Sequence, residues 1–110
     1  MAILAIDFDN VLHDPTRVAE GKVLGPPMEG ARDAICLLRN EMGHTIVVFS
    51  VKPPEVIAPW MGYFDIPYDR ITNQKPIADL YLDDKGCRFY NWEEFLAHQL
   101  PYFVDAVRVD

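Results

Sequence analysis

The sequence predicts an α/β fold, a mostly parallel sheet in a three-layer α/β/α arrangement, on three observations. Apolar runs of strand length recur at Ala2 to Ile6, Thr45 to Phe49 and Asp79 to Leu82. Between them stand segments with apolar residues at three- and four-residue steps. Acidic or hydroxyl residues halt the runs. Strands alternating with helices favour parallel pairing through right-handed crossovers, which places ligands beyond the carboxyl ends of the strands.

The first run, Ala2 to Ile6, is apolar without alternation, as a central strand covered on both faces requires. From Asn10 to Pro27 the pattern dissolves into His13, Asp14, Pro15, Gly21, Gly25 and the Pro26-Pro27 pair, which reads as a flap with one hairpin around Arg17 to Leu24. Met28 to Met42 sets Ala31, Ala34, Ile35, Leu38 and Met42 at helical steps, and Gly43 ends that helix as a C-cap. Thr45 to Phe49 is a β-branched strand stopped by Ser50. Pro53 and Pro54 open a short helix carrying Val56, Ile57, Trp60 and Met61, which Pro59 is expected to kink or shorten. Tyr68 to Thr72 reads as a short strand, Asp79 to Leu82 as a clear one ending in Asp83-Asp84, and Cys87 to Tyr90 as another. Asn91 is placed to cap a last helix, Trp92 to Leu100, with Glu93 and Glu94 in its first turn.

The chain has 110 residues, half of them apolar and a quarter charged, the proportions of one globular domain spanning 1–110. A chain of this size buries roughly 65% of its extended surface on folding, enough for a core but not for an appended module. Seventeen acids against ten bases give a net charge of -7, which disfavours nucleic acid and anionic membranes and suits a cation. The N-terminal apolar run stops at Asp7, far short of a signal-peptide core or the ~20 residues that span a bilayer, so the sequence reads as cytoplasmic. Cys36 and Cys87 lack metal-site or redox spacing and read as reduced thiols.

A parallel sheet brings the residues that stop these runs to one edge: Asp7 and Asp9, Ser50, Asp83 and Asp84. If the first strand stays extended through Asp9, alternation sets Asp7 and Asp9 on one side and Phe8 on the other. Four carboxylates crowded without compensation would cost several kcal/mol of repulsion, so something positive is expected among them. An all-oxygen donor set with room for water and phosphate suits Mg2+, and Lys75 is the nearby candidate for a second positive charge. Each piece has a plainer reading: the acid pair as a turn, Ser50 as a cap, Lys75 as a solvated side chain. Their order, each at its own strand end, favours chemistry.

These residues resemble the motifs of the haloacid dehalogenase (HAD) superfamily of aspartate-nucleophile phosphohydrolases, over nearly the whole chain. The first motif, D-x-D-x-[TV], is matched by Asp7-Phe8-Asp9-Asn10-Val11, the second by Ser50, the third by Lys75 and the fourth by Asp83-Asp84. The resemblance implies a Rossmann-like core in which Asp7 is the nucleophile and Asp9 the general acid and base. It implies that Ser50 and Lys75 bind phosphoryl oxygens, and that Asp7, the Asp9 carbonyl, Asp83 and Asp84 hold Mg2+. Neither gap between motifs is long enough for a cap domain, so the resemblance implies a capless member. Its open site would accept a phosphate on a large molecule, or a small phosphorylated one enclosed by self-assembly into a homo-oligomer.

Other residues read more plainly. His13, Arg17 and Lys22 lie in the flap within reach of a substrate but read first as exposed loop residues, and Lys52, Lys85 and Arg88 as surface charges. Trp60, Trp92, Phe95 and Phe103 read as packing residues. A phospho-receiver signalling module shares the length, the parallel sheet and the acids, but there the adjacent acid pair follows the first strand and the Lys follows the last. A HAD-like scaffold that binds phosphate or a partner without turnover is the third reading, although both Asp7 and Asp9 are intact.

Overall fold

In the computed structural model, which describes residues 1–83, 87–88 and 91–99, strands β1 (Ile3–Asp7), β2 (Thr45–Phe49), β3 (Arg70–Thr72), β4 (Leu80–Asp83) and β5 (Cys87–Arg88) form one all-parallel sheet. Their order is 3-2-1-4-5, that of a Rossmann-like α/β sheet. The run expected to be central is central: β1 pairs with β2 on one side and β4 on the other. Among the described residues, no helix is long and apolar enough to cross a membrane.

The core follows from strand alternation. Leu4, Ile6 and Phe8, with Ile46, Val48 and Leu82, form one buried cluster with Ala34, Ile35 and Leu38 of helix α1 (Ala31–Cys36) and its continuation. Helix α2 (Pro54–Tyr63) adds Ile57, Trp60 and Met61, and helix α3 (Trp92–Glu94) with the turn after it adds Trp92 and Phe95. Trp60, Trp92 and Phe95 are thus packing residues, as expected. Ala5 and Val47, pointing the other way, are also buried, which explains why β1 and β2 lack alternation. Each fully buried Leu, Ile or Phe contributes roughly 1.5–3 kcal/mol relative to exposure.

Several elements differ from expectation. The helix expected from Met28 begins only at Ala31, because Gly30 takes a left-handed φ of 81°, and it passes at Leu37 into a wider π-helical turn ending at Glu41. Gly43, at φ 77°, ends it as expected. Pro59 lies inside α2 without stopping it. No hairpin forms over Arg17 to Leu24; instead Asp14 caps a short 3-10 turn at Pro15–Arg17, accepting from Thr16 N–H at 3.0 Å and Thr16 Oγ1 at 2.6 Å. The Asn10–Pro27 stretch is held by single bridges, Asp9 to His13 and His13 to Pro27. Asp84, Lys85, Phe103 and the 100–110 tail lie outside the described residues.

Candidate functional site

Parallel pairing brings the carboxyl ends of four strands to one edge. Asp7 stands in register with Phe49 and Phe49 with Thr72, while Ile6 pairs with Leu82 immediately before Asp83. A cavity of about 420 Å³ opens there, lined by Asp7, Asp9, Asn10, Phe49, Ser50, Val51, Asn73 and Lys75. Four of the six residues picked from the sequence therefore share one cavity: Asp7, Asp9, Ser50 and Lys75. Asp83 joins them through Lys75, whose Nζ meets Asp83 Oδ2 at 2.8 Å. Asp84 is outside the described residues.

The loop after β1 fixes Asp9. Phe8 donates its N–H to Phe49 O at 3.1 Å, and its own carbonyl accepts the N–H groups of Leu12 (3.0 Å) and His13 (2.8 Å). Asn10 sits at φ 69°, a conformation Asn tolerates better than most residues, and donates to His13 O at 2.8 Å. This tight turn returns the His13 ring to Asp9, with Nδ1 at 2.8 Å from Oδ1. His13 Nε2 accepts the Gly25 N–H at 2.8 Å, so the ring proton belongs on Nδ1, which donates to the carboxylate. Lys52 Nζ reaches the other oxygen, Oδ2, at 2.6 Å. Burial pushes the Asp9 carboxyl up, but the hydrogen bonds from Lys52 and His13 and the Lys52 charge outweigh it and hold the group below its ordinary value. Asp9 is thus an ionised carboxylate in this arrangement, the form of a base.

His13 and Lys52 are the two residues that sequence reasoning undervalued. His13 is buried and not an exposed loop residue, because its ring stacks on Phe8 at 5.0 Å and meets Trp60 edge-on at 5.7 Å. Lys52 is turned inward because Ser50 Oγ accepts the Lys52 N–H at 3.0 Å, bending the chain beyond β2. The available signals were spacing: His13 is four residues after Asp9, and Lys52 two after Ser50. Lys75 stands over the Tyr81 ring at 4.8 Å, which steadies it beside Asp83.

Among the described residues, no three His, Cys, Asp or Glu side chains cluster as a metal site. Asp7 and Asp83 nevertheless follow the paired residues Ile6 and Leu82 on adjacent strands, on one face of the sheet. Two hard carboxylates with remaining positions for water and phosphate are a donor set that fits Mg2+. A larger groove, about 620 Å³, runs between α1 and α3 with Ala34, Leu37, Trp92 and Leu96 along it.

No family model matches the chain, and no curated protein matches it. A solved structure described as that of the conserved protein coded by a locus from Bacteroides thetaiotaomicron is similar at a TM-score of 0.65. The two share 18% identity over 89% of this chain and 91% of that one. At that identity the likeness extends to the fold alone.

Proposed function

We propose that the protein is a Mg2+-dependent phosphohydrolase of the HAD type that works through an aspartyl phosphate. The observation that carries this reading is the convergence of Asp7, Asp9, Ser50 and Lys75 on one cavity at the carboxyl edge of a parallel sheet. Residues 1–110 are then one capless three-layer domain, with the 10–27 loop beside the site, acting on a phosphate monoester of a small or large molecule.

In the first half-reaction a carboxylate oxygen of Asp7 attacks phosphorus, the bond from phosphorus to the ester oxygen breaks, and that oxygen takes a proton from Asp9. In the second, water attacks the same phosphorus while giving a proton to Asp9, and the bond to Asp7 breaks to release inorganic phosphate. Asp9 serves the second step as it stands, ionised. To donate in the first it must be protonated, which requires Lys52 to leave Oδ2; an arriving phosphate dianion attracts that ammonium. Ser50 Oγ and Lys75 Nζ line the cavity as donors to the phosphoryl oxygens. Mg2+ would be held by Asp7 and Asp83, with Asp84 and the Asp9 carbonyl as further donors, and when bound it neutralises charge on the transferring group.

The test is release of phosphate from 4-nitrophenyl phosphate with Mg2+ and with a chelator. Turnover that needs Mg2+ and is abolished in Asp7→Asn is expected. Undiminished turnover in Asp7→Asn rules out the covalent route, and stable self-phosphorylation without turnover identifies a receiver-type module instead.

A further inference from the structure

The two oxygens of Asp9 are held by unlike partners. Oδ1 meets an imidazole whose side chain is 2% exposed, whereas Oδ2 meets a lysine 33% exposed on a long flexible stem. The imidazole has no freedom to yield. Its plane lies parallel to Phe8, within 3°, and nearly perpendicular to Trp60, at 85°. Its Nε2 accepts the Gly25 N–H, so a half-turn of the ring would set Cε1–H against that donor and Cδ2–H against Asp9 Oδ1, losing both hydrogen bonds. Gly25 is itself fixed, because its carbonyl accepts Trp60 Nε1–H at 2.9 Å and a Cβ there would lie 2.8 Å from Asp14 O.

We propose that His13 is a positioning residue that pins Oδ1 of Asp9 and so assigns the proton-carrying work to Oδ2. The inference rests on the role given to Asp9 above. When Lys52 withdraws, Oδ2 is the oxygen that opens to the cavity, while Oδ1 stays bonded to His13. The proton on Oδ2 passes to the ester oxygen as the bond to phosphorus breaks, and Oδ2 recovers a proton from the water that later attacks. The 10–27 loop enters the chemistry through this link: Gly25 fixes the imidazole, and the imidazole fixes the acid.

The experiment measures kcat/KM on aryl phosphates running from 2,4-dinitrophenyl phosphate, whose leaving group needs little acid, to phenyl phosphate, whose phenol has a pKa near 10 as in Tyr. It compares the wild type with His13→Phe, which keeps an aromatic ring but loses both hydrogen bonds, and with His13→Asn, whose amide donates from near the Nδ1 position. His13→Phe is expected to lose about 10²-fold on phenyl phosphate and less than about 10-fold on the dinitrophenyl ester. His13→Asn should recover part of the loss on phenyl phosphate. The ratio between substrates cancels any difference in folded fraction, so a purely structural role predicts equal losses, and equal losses overturn the proposal. Should neither variant fold, the ring ¹⁵N shifts of wild-type His13 decide: a protonated Nδ1 with a bare Nε2 supports the assignment and the reverse overturns it. Absence of wild-type turnover on every ester is a different failure, that of the hydrolase reading.

Discussion

Replacing Lys52 by methionine keeps much of the stem and deletes the ammonium that meets Asp9 Oδ2 at 2.6 Å. The Lys52 and Asp9 side chains are 33% and 28% exposed, so water screens the pair and it behaves more like a surface ion pair than a buried one. Its loss is expected to cost about 1 kcal/mol near neutral pH, the top of the range for exposed pairs. It should not reach the ~3–5 kcal/mol of a stranded buried charge, because His13 still donates to Oδ1. In a domain of this size ~1 kcal/mol lowers Tm by roughly 4–8 °C. The effect has a pH signature. The folded Asp9 carboxyl lies below its ordinary 3.8, because Lys52 and His13 outweigh the burial that raises it. A carboxyl depressed by folding adds stability above its unfolded value and loses it as pH falls through the folded one. The gap between wild type and Lys52→Met is therefore full above about pH 5 and shrinks as the pH drops below 3.8. Urea unfolding followed by emission of the buried Trp60 and Trp92 measures it. An equal gap near neutrality and near pH 3, or a neutral-pH gap above ~3 kcal/mol, would refute this reasoning.

Burial, reinforced by the N-terminal ammonium and only partly opposed by Asp79, holds the His44 pKa below its ordinary 6.5. The stability this gives is present above 6.5 and is lost as pH falls below it, so His44→Asn should flatten the decline in urea midpoint between about pH 7 and pH 5. Asp69 accepts Ile46 N–H at 2.8 Å and Arg39 Nη2 at 3.0 Å, tying the start of β2 to the segment before β3. Asp69→Ala should cost roughly 1–2 kcal/mol of stability, read as a lower urea midpoint, and Asp69→Asn less, since the amide oxygen still accepts from Ile46. Gly25→Ala sets a methyl against Asp14 O and should cost about 1–3 kcal/mol, read as a lower Tm.

The sheet was legible because its signals are local. Thr45 to Phe49 forms a strand with those bounds, and β1 matches to within a residue, since an unbroken β-branched or apolar run has one good environment, a strand covered on both faces. The polar residues that stop those runs then fall at one edge by parallel topology alone. The start of α1 was less legible, because an apolar period running back to Met28 says nothing of the left-handed turn at Gly30. What could not be read was the environment of Asp9. Lys52 reaches it across 43 residues of sequence, Gly25 meets the His13 ring across 12 and Trp60 meets Gly25 across 35. No periodicity encodes such contacts. A polar residue in a Pro- and Gly-rich loop is ordinarily solvated, and His13 departs from that because a buried Phe8 and Trp60 give its ring a place to stack.

That environment also changes what the acidic cluster implies. The sequence argued that close carboxylates need something positive to neutralise them, and offered Mg2+ with Lys75 as a second charge. Two lysines do so here: Lys52 on Asp9 and Lys75 on Asp83, with His13 donating to the first as well. Crowding alone therefore no longer demands a metal. The case for Mg2+ moves to the substrate. On the proposed function, a phosphate dianion entering the cavity beside Asp7 would draw Lys52 and Lys75 toward its own oxygens, and each lysine that turned would leave a carboxylate behind. The Asp7 and Asp83 edge would then carry more negative charge than two ammonium groups can serve, which would favour a bound divalent cation. Phosphate and Mg2+ should accordingly bind with positive coupling, each tightening the other by the same factor. Calorimetric titration of inorganic phosphate into the wild-type protein with and without Mg2+ measures that factor, and identical affinities would return the site to one built on lysines alone.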